Sequence, residues 1–464
     1  LLGQDSARRH HRGADRTDGV MPARRLRSIR VAWLALLCVT GIALIASNAV
    51  ADALDPRTVE STTLANGFRL VVCEDQAAPV VSIEIIVRAG SADESPEESG
   101  IAHLLEHVCW MGDQQSDPRT AIEDCGGSTN AGTLRDFTRY YATVPPADFA
   151  RAVRAVADMV LKSKYDEGVI SRERAVVQEE AAGRSERPRA ALNDLAFESL
   201  FGASHPYGRH IEGSEQSLAG ITSARLALFH RTWYVPNNMA VIVGGKIAFS
   251  TAAKAVESIF GGLSPEALPE RAPAVARPAE GRERVVETSL QDVYLMAAFL
   301  SPGIADPASV CASDIIATIL THPQVGRLVK EVQDRRGLVK GVGVDFLTQR
   351  RQGLFGVWAI CDAENVDAVK QAISAELARL AAEPIAPAEL TTAKRLLGAE
   401  YTFSNETAAE RASTLGFYEA IDSYRTASLY PSLVRSVTAA DVARVATLYA
   451  KEPVWIAMKP GTQR

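Results

Sequence analysis

The chain has 464 residues, 47% of them hydrophobic, and a formal net charge of −6. That is too long for one ordinary domain and apolar enough for a large core. The acidic balance argues against a nucleic-acid surface, which would be basic, and no glycine-rich dinucleotide or phosphate fingerprint occurs.

Residues 1–53 read as a leader rather than as fold. Met21 precedes Arg24, Arg25, Arg27 and Arg30, then the charge-free run VAWLALLCVTGIALIA, and SNAVADA closes it with small residues suited to signal peptidase, for example after Ala51. The run is short for a bilayer span, so the expectation is a cleaved signal, no stable membrane anchor, and a periplasmic or secreted protein. N-terminal sequencing of the native protein should begin near Asp52 or Leu54; an intact leader on cytoplasmic protein would contradict export. Cys38 falls in the leader. Cys73, Cys109, Cys125, Cys311 and Cys361 are odd in number and scattered, which suggests neither a disulfide framework nor a zinc ribbon.

Past the leader, strand and helix patterns alternate. TTLANGFRLVVCE carries an Asn66-Gly67 hairpin signal, PVVSIEIIVRAG reads as a strand, and GIAHLLEHVCWMGD as a helix. RDFTRYYATVP is another strand and PADFARAVRAVADMVLKS an amphipathic helix. Two helices are expected through residues 169–201, then the strand NMAVIVGG and the helix FSTAAKAVESIFGG. LSPEALPERAPAVARPAEGRER, rich in Pro, Ala and charge, reads as a connector. A second alternation follows: TSLQDVYLMAAFLSPG strand, ASVCASDIIATILT helix, FGVWAICDA strand, NVDAVKQAISAELARLAAE helix. This predicts an α+β protein of two related lobes, 54–265 and 283–464, joined by a linker at 266–282.

The helix over GIAHLLEHVCWMGD carries the chemistry. His103 and His107, at i and i+4, can reach one ion, and Glu106 overhangs the same point. With 8 histidines in the chain, such a pair arises about 0.14 times by chance, and about 0.01 times with Glu fixed between them. A third ligand is needed, and ISRERAVVQEEAAGRSE offers Glu173, Glu179 and Glu180. Glu173 and Glu180 share a face, while Glu179 points about 100° away; on composition alone the helix reads as a solvated face. His205 and His210 in HPYGRHIEG, beside Pro and Gly, read as loop residues, and Tyr140 and Tyr141 as core or cleft wall.

The blocks SGIAHLLEHVCWMG, GGSTNAGTLRDFTRYYATVP, RERAVVQEEAAGR, HPYGRHIEG and WYVPNNMAVIVGG stand in the order seen in one family. The chain resembles the pitrilysin, insulin-degrading enzyme and mitochondrial processing peptidase family of inverted-motif zinc peptidases over about residues 57–460. The resemblance implies that each lobe is a mainly antiparallel sheet with helices packed on it, the two enclosing a cleft. It implies one zinc ion per chain on His103, His107 and Glu180, Glu106 as general base and Glu173 in support. The choice of Glu180 agrees with the shared-face argument. It further implies that STNAGT is an edge strand whose Asn130, Ala131 and Gly132 hold an extended peptide by backbone pairing; without the resemblance the stretch reads as a turn.

One block departs from the family. Active relatives carry Arg and, seven residues on, Tyr in the second lobe, facing substrate across the cleft. Here the run is VQDRRGLVK, with Gln333 and Lys340 at those positions. The reading that explains most residues is a zinc endopeptidase subunit that receives Arg and Tyr from a homologous partner. The alternatives are a self-sufficient zinc endopeptidase, which would need a substitute for the missing pair, and a non-catalytic assembly or binding subunit of the same fold.

Overall fold

The structure, a computed structural model, describes residues 54, 58–111, 117–271, 275–276, 278 and 282–461. The expected leader lies outside the described residues, as does part of the expected linker. Among the described residues no helix is long and apolar enough to cross a membrane.

The first half supplies strands β1 (Val59–Thr63), β2 (Arg69–Glu74), β3 (Val81–Val87), β4 (Ser128–Thr133), β5 (Thr138–Val144) and β6 (Met239–Gly245). Its helices are α1 (Ile101–Met111), α2 (Pro118–Glu123), α3 (Phe149–Leu161), α4 (Glu167–Ser185), α5 (Pro188–Phe201), α6 (Glu215–Gly220), α7 (Ser223–Trp233) and α8 (Phe249–Phe260). The second half supplies β7 (Glu283–Thr288), β8 (Val293–Ser301), β9 (Gly341–Phe346), β10 (Gly353–Cys361) and β11 (Val454–Pro460). Its helices are α9 (Pro307–Thr321), α10 (Val366–Ala382), α11 (Pro387–Phe403), α12 (Ala408–Ile421), α13 (Tyr424–Ser436) and α14 (Ala439–Tyr449).

The strands form two sheets, ordered β1-β2-β6-β3-β5-β4 and β7-β11-β8-β10-β9. Leaving out β1, the two orders correspond strand for strand. The β2–β6 and β7–β11 pairs are parallel, and the pairs that follow in each sheet are antiparallel. The expected α+β architecture of two related lobes is therefore present, each sheet mainly antiparallel. The Asn66-Gly67 hairpin joins β1 to β2 as expected, with Gly67 at φ 86° where a side chain would be strained.

Burial explains how the lobes are tied together. The central strand β3 is buried along its whole length, so both faces of the first sheet need cover. On one face Ile83, Ile85 and Val87 pack with residues of α1, α3 and α8. On the other, Val71, Ile86 and Ile242 pack with Ala412 and Leu415 of α12, a helix from the second half. Reciprocally, Leu192, Ala196 and Leu200 of α5, from the first half, pack on Met296, Ala298 and Ile456 of the second sheet. Each lobe thus completes the other's core. The approach of α12 is close: a Cβ on Gly244 of β6 would lie 2.5 Å from the Ala408 carbonyl oxygen, a contact only glycine permits there.

Buried polar groups reinforce the junction. Glu419 of α12 is fully buried and accepts from the guanidinium groups of Arg88 and of Arg69, the latter at 3.1 Å. Asp136 accepts from the Tyr207 hydroxyl at 2.6 Å and from the Arg350 amide at 2.9 Å. Breaking a buried pair leaves an uncompensated charge, so these contacts oppose separation of the lobes.

Candidate metal centre

The helix α1 is amphipathic in the sense the chemistry needs. Ile101, Leu104, Leu105 and Val108 are buried against the first sheet, which turns His103, Glu106, His107 and Trp110 toward an open cleft of about 370 Å³. Its start is fixed by Glu94, whose carboxylate accepts from the Gly100 and Ala102 amides, each at 3.0 Å. Burial pushes the Glu94 carboxyl up to about 8, against the opposing pull of those amides.

The helix α4 begins at Asp166, whose side chain caps the Val169 amide, and runs past α1. It brings Glu180 to the two imidazoles: Glu180 Oε2 lies 3.6 Å from His103 Nε2 and 3.4 Å from His107 Nε2. One ligand atom from each of His103, His107 and Glu180 falls within 4.8 Å of the others, and among the described residues this is the one such group. Tetrahedral zinc with bonds of about 2.0–2.2 Å sets its ligands about 3.3–3.6 Å apart. The three side chains therefore fit a zinc ion with little adjustment. Glu179, exposed on the next position of the helix, is not part of the group.

Glu173 supports the site from behind. Its Oε2 lies 3.3 Å from His107 Nδ1, an arrangement that fixes the ring and leaves Nε2 to face Glu180. His103 Nδ1, by contrast, is buried without a partner among the described residues. Burial, the neighbouring His107 and Arg184 push the His103 imidazole down to about 3, so it stays in the neutral, ligating form across ordinary pH.

Glu106 is buried beside the ligands. Burial raises its carboxyl to about 7, and the Thr133 hydroxyl, donating at 2.6 Å, opposes that rise. A carboxylate held near neutrality at the cleft wall is suited to taking and returning a proton.

The stretch STNAGT is β4, the outermost strand of its sheet, and among the described residues it pairs only with β5. Asn130, Ala131, Gly132 and Thr133 line the same cleft as His103, Glu106, His107 and Glu180. The expected peptide-binding strand thus stands beside the expected ligands. His205 is buried in a loop, where its Nδ1 accepts from the Tyr207 amide at 3.0 Å, and His210 is half-exposed with Nδ1 3.9 Å from Asp194; neither joins the group. Tyr140 is core, its hydroxyl 3.0 Å from that of Tyr234. Thr133, Glu94 and Trp110 escaped the sequence reading. Thr133 ends the STNAGT block, which was the signal available for it; the others had none beyond adjacency to the motif.

In the second lobe Lys340 is exposed and bound to Asp292 at 2.5 Å and Asp362 at 2.8 Å. Gln333 is exposed on the π-helical turn Val329–Arg335. Among the described residues, those lining the cleft all come from the first lobe.

The sequence matches the family described as Insulinase (Peptidase family M16) over residues 69–214, and the one described as Peptidase M16 inactive domain over residues 220–397. A protein of Mycobacterium bovis named an uncharacterised zinc protease is 32% identical over 375 residues, 79% of this chain and 84% of the relative. A protein of Arabidopsis thaliana named as a mitochondrial-processing peptidase beta subunit is 29% identical over 414 residues, 84% of this chain and 75% of the relative. A protease from Helicobacter pylori superposes with a TM-score of 0.78 at 22% identity, covering 87% of this chain and 99% of that one.

Proposed function

The chain belongs to peptidase family M16, and from that premise we propose that it is a zinc-dependent endopeptidase acting on peptides or unfolded polypeptide segments. The observation that carries the reading is the convergence of His103, His107 and Glu180 on one point, with Glu106 and the free edge of β4 at the same cleft.

A bound zinc ion would supply a Lewis-acidic centre that polarises the peptide carbonyl and acidifies water. The protein supplies the rest. His103 and His107 ride on one helix, so their spacing is fixed before any ligand arrives. Glu173 holds the His107 ring. Glu106 takes a proton from the attacking water and returns it to the leaving amine, held in place by Thr133. The outer edge of β4 pairs with the peptide backbone, which fixes register without demanding a particular sequence.

We further propose that the chain is the metal-bearing member of a pair with a homologous subunit. Two features support this. The cleft is lined by first-lobe residues, and the second lobe holds Gln333 and Lys340 where active relatives carry Arg and Tyr, with Lys340 already engaged by two aspartates. The same departure favours the alternative of a non-catalytic subunit. Against that alternative stands a complete set of ligands, base and supporting carboxylate, none of which a scaffold requires, and two of which, Glu106 and Glu173, are buried at a desolvation cost.

Peptide hydrolysis before and after chelation tests the proposal. Activity should vanish when metal is stripped and return when zinc is added back. Hydrolysis indifferent to chelation, in protein shown to be metal-free, would remove the zinc peptidase reading.

A further inference from the structure

We propose that Arg139 selects an acidic side chain in the bound peptide, forming a subsite on the face of β4 turned away from the metal-binding helix. This rests on the reading of β4 as the strand to which peptide adds.

Side chains along β5 alternate. Tyr140, Ala142 and Val144 enter the core beneath α1 and α3, so Arg139 and Tyr141 face α12 instead. The β4–β5 register sets Gly132 opposite Arg139 and Asn130 opposite Tyr141, which puts these residues on one face. The Arg139 guanidinium lies over the Tyr141 ring, 4.8 Å from its centroid. Its Nη1 donates to Ser413 Oγ of α12 at 2.8 Å and stands 3.5 Å from Glu84 Oε1, a long pair. Its Nε is buried without a partner. The side chain keeps 16% of its surface exposed, and the residue opposite it on β4 is a glycine.

Gly132 puts no side chain of β4 over Arg139. A Cβ there would sit 3.9 Å from Arg139 Nε, so any larger side chain would stand between the guanidinium and whatever lies beyond β4. A peptide strand added to β4 runs about 4.8 Å from it and about 9.6 Å from β5. An arginine and a glutamate reaching from those two strands can meet over the gap that glycine leaves. A carboxylate arriving there gains a charge-assisted bond to a preformed donor fork.

Glu84 offsets this charge only in part. It is 2% exposed, and burial raises its carboxyl to about 7, so near neutral pH it is protonated part of the time. A substrate lysine in the same place would meet the guanidinium head-on. Because side chains of an added strand alternate between faces, the preference falls on one position of the peptide and is absent from its immediate neighbours.

The test is binding to the zinc-loaded Glu106→Gln chain, measured by fluorescence anisotropy. The probes are decapeptides identical except for Glu, Ala or Lys placed at each position in turn. At one position Glu should bind about 10-fold tighter than Lys, with no such ratio at the adjacent positions. Arg139→Gln should bring that ratio to within about 2-fold, and so should Gly132→Leu, whose Cβ meets no clash. Glu84→Gln should widen it, a change of opposite sign that misfolding cannot mimic. Absence of any charge preference, its survival in Arg139→Gln, or failure of all the peptides to bind would overturn the subsite. Metal-dependent cleavage of the same peptides without charge preference would overturn it while leaving the peptidase reading intact. Charge-selective binding with no cleavage by the active-site-intact protein, either alone or paired with a homologous subunit carrying Arg and Tyr, would do the reverse.

Discussion

Glu106→Gln will lower peptide hydrolysis by about 10²-fold or more while leaving zinc bound. The amide matches the carboxylate in shape and can still meet the Thr133 hydroxyl that now donates to Glu106 Oε2 at 2.6 Å. What it cannot do is accept a proton from the attacking water. Zinc should stay, because the atoms that would hold it belong to His103, His107 and Glu180. The pairing of lost rate with kept metal is the informative outcome. Near-normal turnover in Glu106→Gln would take Glu106 out of the mechanism, and loss of zinc together with rate would move it from base to ligand.

The purified chain alone will hydrolyse peptides poorly, and a homologous subunit carrying Arg and Tyr will raise the rate by about 10²–10³. That range is the usual cost of losing one preorganised donor to a developing oxyanion. Gln333 lacks the forked cationic donors of arginine, and Lys340 is a flexible ammonium in place of a stiff phenol. Lys340 is also held by Asp292 and Asp362, so recruiting it to a substrate would break two ion pairs. Nor can the second lobe swing over the cleft as a free lid, since α5 and α12 are each built into the other lobe's core. On the proposed pairing, a second copy of the fold would present an equivalent lobe from outside, across a pseudo-symmetric interface. Mutating the partner's Arg and Tyr should remove the gain. Full activity of the chain alone, unchanged when Gln333 and Lys340 are replaced, would restore a self-sufficient enzyme.

The parts of this architecture legible in the sequence are those governed by local periodicity. Strands such as VSIEIIV and MAVIVGG and the helix FARAVRAVADMVL announce themselves because one or both faces must be apolar. The edge strands were harder. β4 is STNAGT, polar and small because one side of it meets solvent, and only the family resemblance lifted it above a turn. β9, GVGVDF, has two glycines, and Gly343 lies under Trp358 where a Cβ would come within 2.4 Å of the ring. β7, ERVVET, sits at the end of a Pro- and Ala-rich stretch that masked it. The exchange of α5 and α12 had no local signature, because each is defined by a sheet far away in sequence.

The same division holds at the candidate metal centre. An i, i+4 histidine pair is a local pattern and needed no fold to be seen. Glu180 needed the resemblance to separate it from Glu179, although the helix face already favoured it. Thr133 reaches Glu106, and Glu94 caps α1, through contacts that depend on how the chain folds back.

Zinc content of purified His107→Ala and Glu180→Gln, with Glu179→Gln as the matched control, bears most directly on the metal centre. Each ligand variant leaves a two-ligand site of sharply lower affinity. Elemental analysis after dialysis should find about one zinc per chain in the unaltered protein and in Glu179→Gln, and little in the other two. Full occupancy in both His107→Ala and Glu180→Gln would contradict the assignment.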